Sequence, residues 1–144
     1  MITIKRSVTG IMLLAFFFTA GICRADSPIP NLLGTWTVKS RAILMLKGSA
    51  PGNWTHHTQQ VNDLTAEAVF KKQDGRLLWG HFTSPRMSED FIAVIGLDNK
   101  TLYFVDQDGF TDAALVDKDT IQSVYRHTGP ADSVISQGIW RRNK

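Results

Sequence analysis

From residue 32 onward the chain alternates apolar and polar positions, with no apolar run at the three-and-four spacing of a helix. Leu64, Ala66, Ala68 and Phe70 share one face of an extended segment, and Thr65, Glu67 and Lys71 share the other. That is the period of a half-buried strand. Ile121, Ser123, Tyr125 and His127 form a mixed face opposite Gln122, Val124 and Arg126. Turn signals at Asp74-Gly75, Asp98-Asn99, Asp108-Gly109, Asp117-Lys118-Asp119 and Gly129-Pro130 recur about every ten residues, as in an all-β meander. Asp-Gly is the strongest of them, because a tight hairpin turn needs positive φ, which glycine adopts without steric cost. The pattern predicts strands over 33–41, 58–72, 76–84, 90–97, 101–106, 110–116, 120–127 and 133–142.

Eight strands joined by short turns predict an all-β fold, an eight-stranded antiparallel up-and-down barrel. At that size the interior either fills with side chains or keeps one small cavity. A two-sheet sandwich shares the local pattern and stays open as an alternative. Phe91-Ile92-Ala93-Val94-Ile95 and Leu102-Tyr103-Phe104-Val105 are apolar on both faces. One face fills the barrel and the other needs cover, either from the 42–57 loop or from a homo-oligomer contact through strands 90–97 and 101–106.

Charge changes the picture at the N-terminus. The 144 residues carry 16 Lys plus Arg against 13 Asp plus Glu, but Lys5, Arg6 and Arg24 lie in the first 25 positions, which hold no acid. Without that segment, 119 residues carry 13 bases and 13 acids. Lys5-Arg6, the apolar run from Ile11 to Phe18 and the small-residue boundary at Ala25 have the order of a secretory signal peptide over 1–25. The stretch from Val8 to Ile22 is short for a membrane span. The expected product is exported, periplasmic or secreted after cleavage near Ala25, with no membrane span and no charge bias toward nucleic acid. The only cysteine, Cys23, leaves with the segment. An uncleaved anchor that tethers the same domain to the membrane is one alternative, and a lipidated Cys23, disfavoured by the bulky Ile22 before it, is another. A cysteine-free domain has neither disulfide nor thiolate chemistry. Pro28 and Pro30 make 26–31 an extended leader, and 32–144 reads as one barrel domain.

Leu33-Gly34-Thr35-Trp36-Thr37 on the first strand and Trp140-Arg141-Arg142 on the last resemble the calycin barrels, the lipocalins and avidins. The resemblance implies that the indole of Trp36, after Gly34, packs across the barrel floor with Arg141 or Arg142 stacked on it. No motif places the polar ligand set of the avidins. The stretch from Phe91 to Gly109 is also similar to a group of short exported bacterial proteins of unassigned function, and that likeness supplies no activity.

Candidate chemistry is sparse. Asp106-Gln107-Asp108-Gly109 with Asp112 offers part of a calcium loop but lacks its third acidic position and distal Glu, so a hairpin turn with solvated carboxylates is the simpler reading. His56, His57, His81 and His127 show no ligand spacing, and Glu89-Asp90 reads as part of an exposed connection. No nucleophile elbow, zinc-protease helix or phosphate loop occurs. The expectation is a non-catalytic barrel with no cofactor and no metal, binding a small apolar or amphipathic molecule inside. Trp54, Trp79, His81, Tyr103 and Tyr125 are the candidate ligand-binding residues, and Gly34, Trp36, Arg141 and Arg142 close the barrel. The competing expectation is a periplasmic protein-binding module, such as a hydrolase inhibitor, that uses the leader or the 47–57 loop.

Overall fold

A computed structural model describes residues 28–46, 59–85 and 87–144. The predicted signal segment, residues 47–58 with Trp54, and Arg86 lie outside the described residues. Eight strands, β1 (Gly34–Leu46), β2 (Gln59–Asp74), β3 (Leu77–Thr83), β4 (Ser88–Ile95), β5 (Thr101–Val105), β6 (Gly109–Asp117), β7 (Thr120–Thr128) and β8 (Asp132–Arg142), follow one another in sheet order. Every neighbouring pair is antiparallel, and β8 pairs back onto β1 from Trp36↔Arg142 to Leu46↔Asp132. The sheet is therefore a closed up-and-down barrel and not a sandwich. Among the described residues no helix is long and apolar enough to cross a membrane.

Strand β1 runs five residues beyond the predicted end at 41. Ala42-Ile43-Leu44-Met45-Leu46 has no alternation to mark it as a strand. It is held instead by pairing on both sides: Ala42 opposes Asn62 and Ser136, and Leu44 opposes Gln60 and Val134.

Turns alternate between the two ends. The floor end carries the β2–β3, β4–β5 and β6–β7 turns, and the mouth end carries the β1–β2, β3–β4, β5–β6 and β7–β8 connections. The floor half is packed solid. Trp36, Phe70, Leu78, Ile95, Leu102, Phe104, Ile121 and Trp140 are all at most 2% exposed. Phe70 lies at the centre, with ring centroids 5.3 Å from Phe91, 6.0 Å from Phe104, 6.1 Å from Trp36 and 6.2 Å from Trp140. Such rings fit because small residues face them. A Cβ on Gly80 would sit 2.1 Å from Cζ of Phe91, so that ring fills the space a side chain would take. Each large apolar side chain contributes about 1.5–3 kcal/mol of burial. Tilted and edge-on ring pairs add about 0.5–1.5 kcal/mol each.

The leader seals the floor from below. Leu32 is fully buried, and its N–H donates to Oε1 of Gln73 (2.9 Å), while Nε2 of Gln73 donates to the carbonyls of Pro30 (2.9 Å) and Gly75 (3.0 Å). Nε1 of Trp36 donates to the Leu32 carbonyl at 3.1 Å. Arg142 stacks over the same indole, 4.4 Å from its centroid, and donates to the carbonyls of Leu33 (2.7 Å) and Asn31 (2.8 Å). Gly34 holds φ +117°, a conformation a side-chain-bearing residue resists, and this bend carries the leader under the barrel.

Candidate functional site

Above the aromatic floor the wall changes from large to small residues. One register row runs Leu64, Ser40, Gly138, Ser123, Ala113 across β2, β1, β8, β7 and β6. All five face inward. Oγ of Ser123 accepts the indole N–H of buried Trp140 at 2.9 Å, and a Cβ on Gly138 would meet that Oγ at 2.9 Å and Cβ of Ser40 at 3.4 Å. Two serines, an alanine and a glycine cannot span the space between opposing strands. The row therefore lines an open cavity of about 830 Å³. Leu64 faces into the barrel and yet stays 40% exposed, because its side chain borders this space and not a packed neighbour.

Polar groups converge at the mouth above that row. Tyr125, two residues from Ser123 on the inward face of β7, leans across Gly109, where an added Cβ would lie 2.3 Å from Cε2 of its ring. Its hydroxyl donates to Oδ1 of Asp108 at 2.9 Å. Burial first, then that carboxylate, pushes the phenol well above its ordinary range, so it remains a proton donor. His127 bonds the Asp108 carbonyl through Nδ1 (3.0 Å) and Oδ1 of Asp132 through Nε2 (2.9 Å). The bond to Asp132 raises its pKa.

Glu89 completes the group. It shares the inward face of β4 with Phe91, and one carboxylate oxygen each from Glu89, Asp106 and Asp108 lie within 4.8 Å of one another. Burial, then the charges of Asp106 and Asp108, push Glu89 up to about 7. A carboxyl poised there can exchange a proton near neutrality or accept a hydrogen bond from a donor at the barrel mouth. At that spacing each carboxylate brings one oxygen, and a calcium ion would need several further oxygen ligands around it. Asp106 also has a structural duty, since its Oδ1 accepts the N–H of Gly109 at 2.6 Å and shapes the hairpin turn.

The candidate ligand residues divide between inside and outside. Tyr125 lies in the mouth. Trp79, His81 and Tyr103 do not line the interior, which corrects the sequence expectation. Leu78, Gly80 and Phe82 take the inward positions of β3, and Leu102 and Phe104 those of β5, so the odd-numbered neighbours face out. Trp79 is 37% exposed under Nζ of Lys72, 4.7 Å from its ring centroid. The imidazole of His81 is held by Asp90 (2.7 Å) and Ser88 (2.8 Å) on the outer wall. Tyr103 is 50% exposed on the same wall. Trp54 lies outside the described residues.

At the floor, Arg142 and not Arg141 stacks on Trp36, whereas Arg141 reaches the Thr120 hydroxyl. Asp112 does not join the acidic turn, because it faces out and pairs with Arg126 at 2.5 Å. Glu89 and Asp90 belong to β4 and point to opposite faces, so they form neither an exposed connection nor a pair. Sequence reasoning missed Glu89, Ser40 and Gly138. The alternation Glu89, Phe91, Ala93, Ile95 was there to be read, but the predicted strand start at 90 excluded Glu89 from it.

No family model and no curated protein matches the chain. Among solved structures, a redesigned β-barrel is similar over 85% of this chain and 98% of its own, at 13% identity and a TM-score of 0.47. The S-type phycobiliprotein lyase of Guillardia theta is similar over 78% of this chain and 89% of its own, at 10% identity and a TM-score of 0.35. These likenesses are of barrel type alone, and the chain's own closed eight-stranded topology carries the fold.

Proposed function

We propose that this protein is an exported, non-catalytic barrel of the calycin kind that binds a small amphipathic molecule in its interior. The single observation that carries the reading is the cavity of about 830 Å³ above a solid aromatic floor, within the range of about 300–1,000 Å³ typical of small-molecule sites. The ligand's apolar part lies against Leu64, Ala113 and the backbone at Gly138, and binding is driven by removal of that surface from water. Its polar end faces Tyr125, Glu89 and Asp108, which offer a phenol donor and carboxylate acceptors. The stacking of Arg142 on Trp36 after Gly34 supports the calycin comparison. The basic, acid-free N-terminal segment supports export.

The test is titration with a neutral environment-sensitive amphiphile, N-phenyl-1-naphthylamine, alongside native mass spectrometry of protein purified from its own envelope. Saturable binding is expected at one site per chain, and Ser40→Leu, which projects four carbons into the cavity, weakens it at least about tenfold by occupying the ligand's space. Dye binding that Ser40→Leu leaves unchanged lies outside the barrel and sinks the reading.

A further inference from the structure

The outer face of β3 to β6 carries a block of apolar side chains that the barrel core does not use. Trp79, Ile92, Val105 and Phe110 oppose one another in register across the four strands, and Leu77, Val94 and Tyr103 form the adjoining row. These seven side chains are 36% to 59% exposed. Together they present on the order of 600 Å² to solvent, the upper end of the largest patch a monomer ordinarily carries. The outer face of β2 is more mixed, presenting Asp63, Thr65, Glu67 and Lys71 beside the exposed Val61.

Closure of the barrel removes free strand edges, so no extended strand can add to β3–β6, and only another surface can cover the block. The charges bordering it are engaged within the chain. Asp90 takes Lys71 at 3.5 Å and His81 at 2.7 Å, Asp112 takes Arg126 at 2.5 Å, and Lys72 lies over Trp79. Apart from Lys72, which sits on a ring, the charged groups named here are paired, so this border carries little net charge to select a charged partner or to repel its own copy.

We propose that this face is the interface of a homodimer, in which β3–β6 of one copy meets β3–β6 of a second about a two-fold axis near the Ile92–Val105 and Val94–Tyr103 pairs. The apolar block together with its rim of His81, Asp112 and Arg126 approaches the roughly 800 Å² per partner of a standard stable interface. Trp79, Tyr103 and Phe110 supply the aromatic anchors that dominate such contacts. In an isologous interface each contact occurs twice, so one substitution acts twice. The second copy answers why β4 and β5 are apolar on both faces.

The experiment is sedimentation velocity on the protein purified from cells that export it, with reductant present so that Cys23 cannot cross-link copies. A dimer is expected at about 10 μM, and the double change Ile92→Glu with Val105→Glu raises its dissociation constant by about 100-fold or more. Both side chains point away from the core, so the far-ultraviolet circular dichroism of the variant stays native. As a second measurement, Val105→Cys near the axis yields a disulfide-linked dimer on oxidation, and Thr65→Cys on β2, outside β3–β6, does not. A protein monomeric at about 100 μM, far above the dissociation constant such an interface gives, overturns the proposal. A dimer that survives both glutamates places the interface elsewhere and likewise overturns it.

Discussion

Replacing Arg142 by Met tests whether the floor closure depends on one arginine. The guanidinium lies 4.4 Å from the Trp36 ring centroid, donates to Leu33 O at 2.7 Å and Asn31 O at 2.8 Å, and reaches Lys118 O and Asp119 at 3.3 Å. It thus ties the leader, β8 and the β6–β7 turn to one indole. A desolvated cation–π contact is worth about 0.5–2 kcal/mol, and each short bond from a charged donor to a backbone carbonyl about 1–2 kcal/mol after exchange with water. The part-exposed pair with Asp119 adds about 0–1 kcal/mol. Methionine keeps an apolar chain over the indole and such terms are not additive, so the expected loss for Arg142→Met lies at the low end of their sum, about 2.5–4 kcal/mol. At a mid-range urea slope of about 2 kcal/mol per molar, the unfolding midpoint falls by about 1–2 M. Tryptophan fluorescence reports it directly, since Trp36 is buried beneath the lost group. Arg141→Met is the control. It removes the bond to the Thr120 hydroxyl, which keeps Asp117 as a partner, and a weak attraction to that exposed Asp117, and costs about 0–1 kcal/mol. Lysine at 142 falls between, because one ammonium cannot reach both leader carbonyls while stacking. Equal midpoints for the two methionine variants would refute this account of the floor.

Other outcomes follow from the core and the mouth. Phe70→Ala leaves a void among four aromatic rings and costs about 3–5 kcal/mol, read by denaturant unfolding; a loss under about 1 kcal/mol contradicts the packing described. Thermal stability falls as pH rises from 5 to 8. Glu89 titrates near 7 when folded against an ordinary 4.5, so the folded state holds a proton that the unfolded chain has released, and raising the pH removes that advantage. His127, raised by Asp132, acts in the same direction, its contribution being complete below its unfolded value and lost as pH climbs through the folded one. Glu89→Gln makes the slope shallower, and a wild-type melting profile that is flat or rising over this range contradicts the assignment. On the acid side, Asp98 is held near 2 by Thr101 and Lys100, so its contribution is lost only as pH drops below the ordinary carboxylate range, and Asp98→Ala removes that part of the acid limb.

The strands were legible in the sequence because a half-buried strand writes its face into every second residue. Leu64 to Phe70 and Ile121 to His127 were read on the correct faces, and the Asp-Gly and Asp-Asn turns fall where hairpins reverse. Strand ends were less legible wherever the alternation lapses, as at Ala42 to Leu46 and at Glu89. The site was harder still. A tryptophan, a histidine and a tyrosine suggest a ligand wall by residue type, but Trp79, His81 and Tyr103 sit one position out of step with the inward residues of β3 and β5, and a single step reverses a side chain.

Local pattern alone therefore determined the all-β architecture, the number and order of strands, and the neutral charge that remains once the basic N-terminal segment is set aside. Those properties reside in near neighbours and in sums over the chain. Only the tertiary structure decided that the sheet closes, that Arg142 and not Arg141 covers Trp36, and that Ser40, Gly138 and Ser123 stand side by side to leave a cavity. These depend on register between strands separated by up to about a hundred residues, and a void exists only where several small side chains, each unremarked in its own strand, face one another across the barrel.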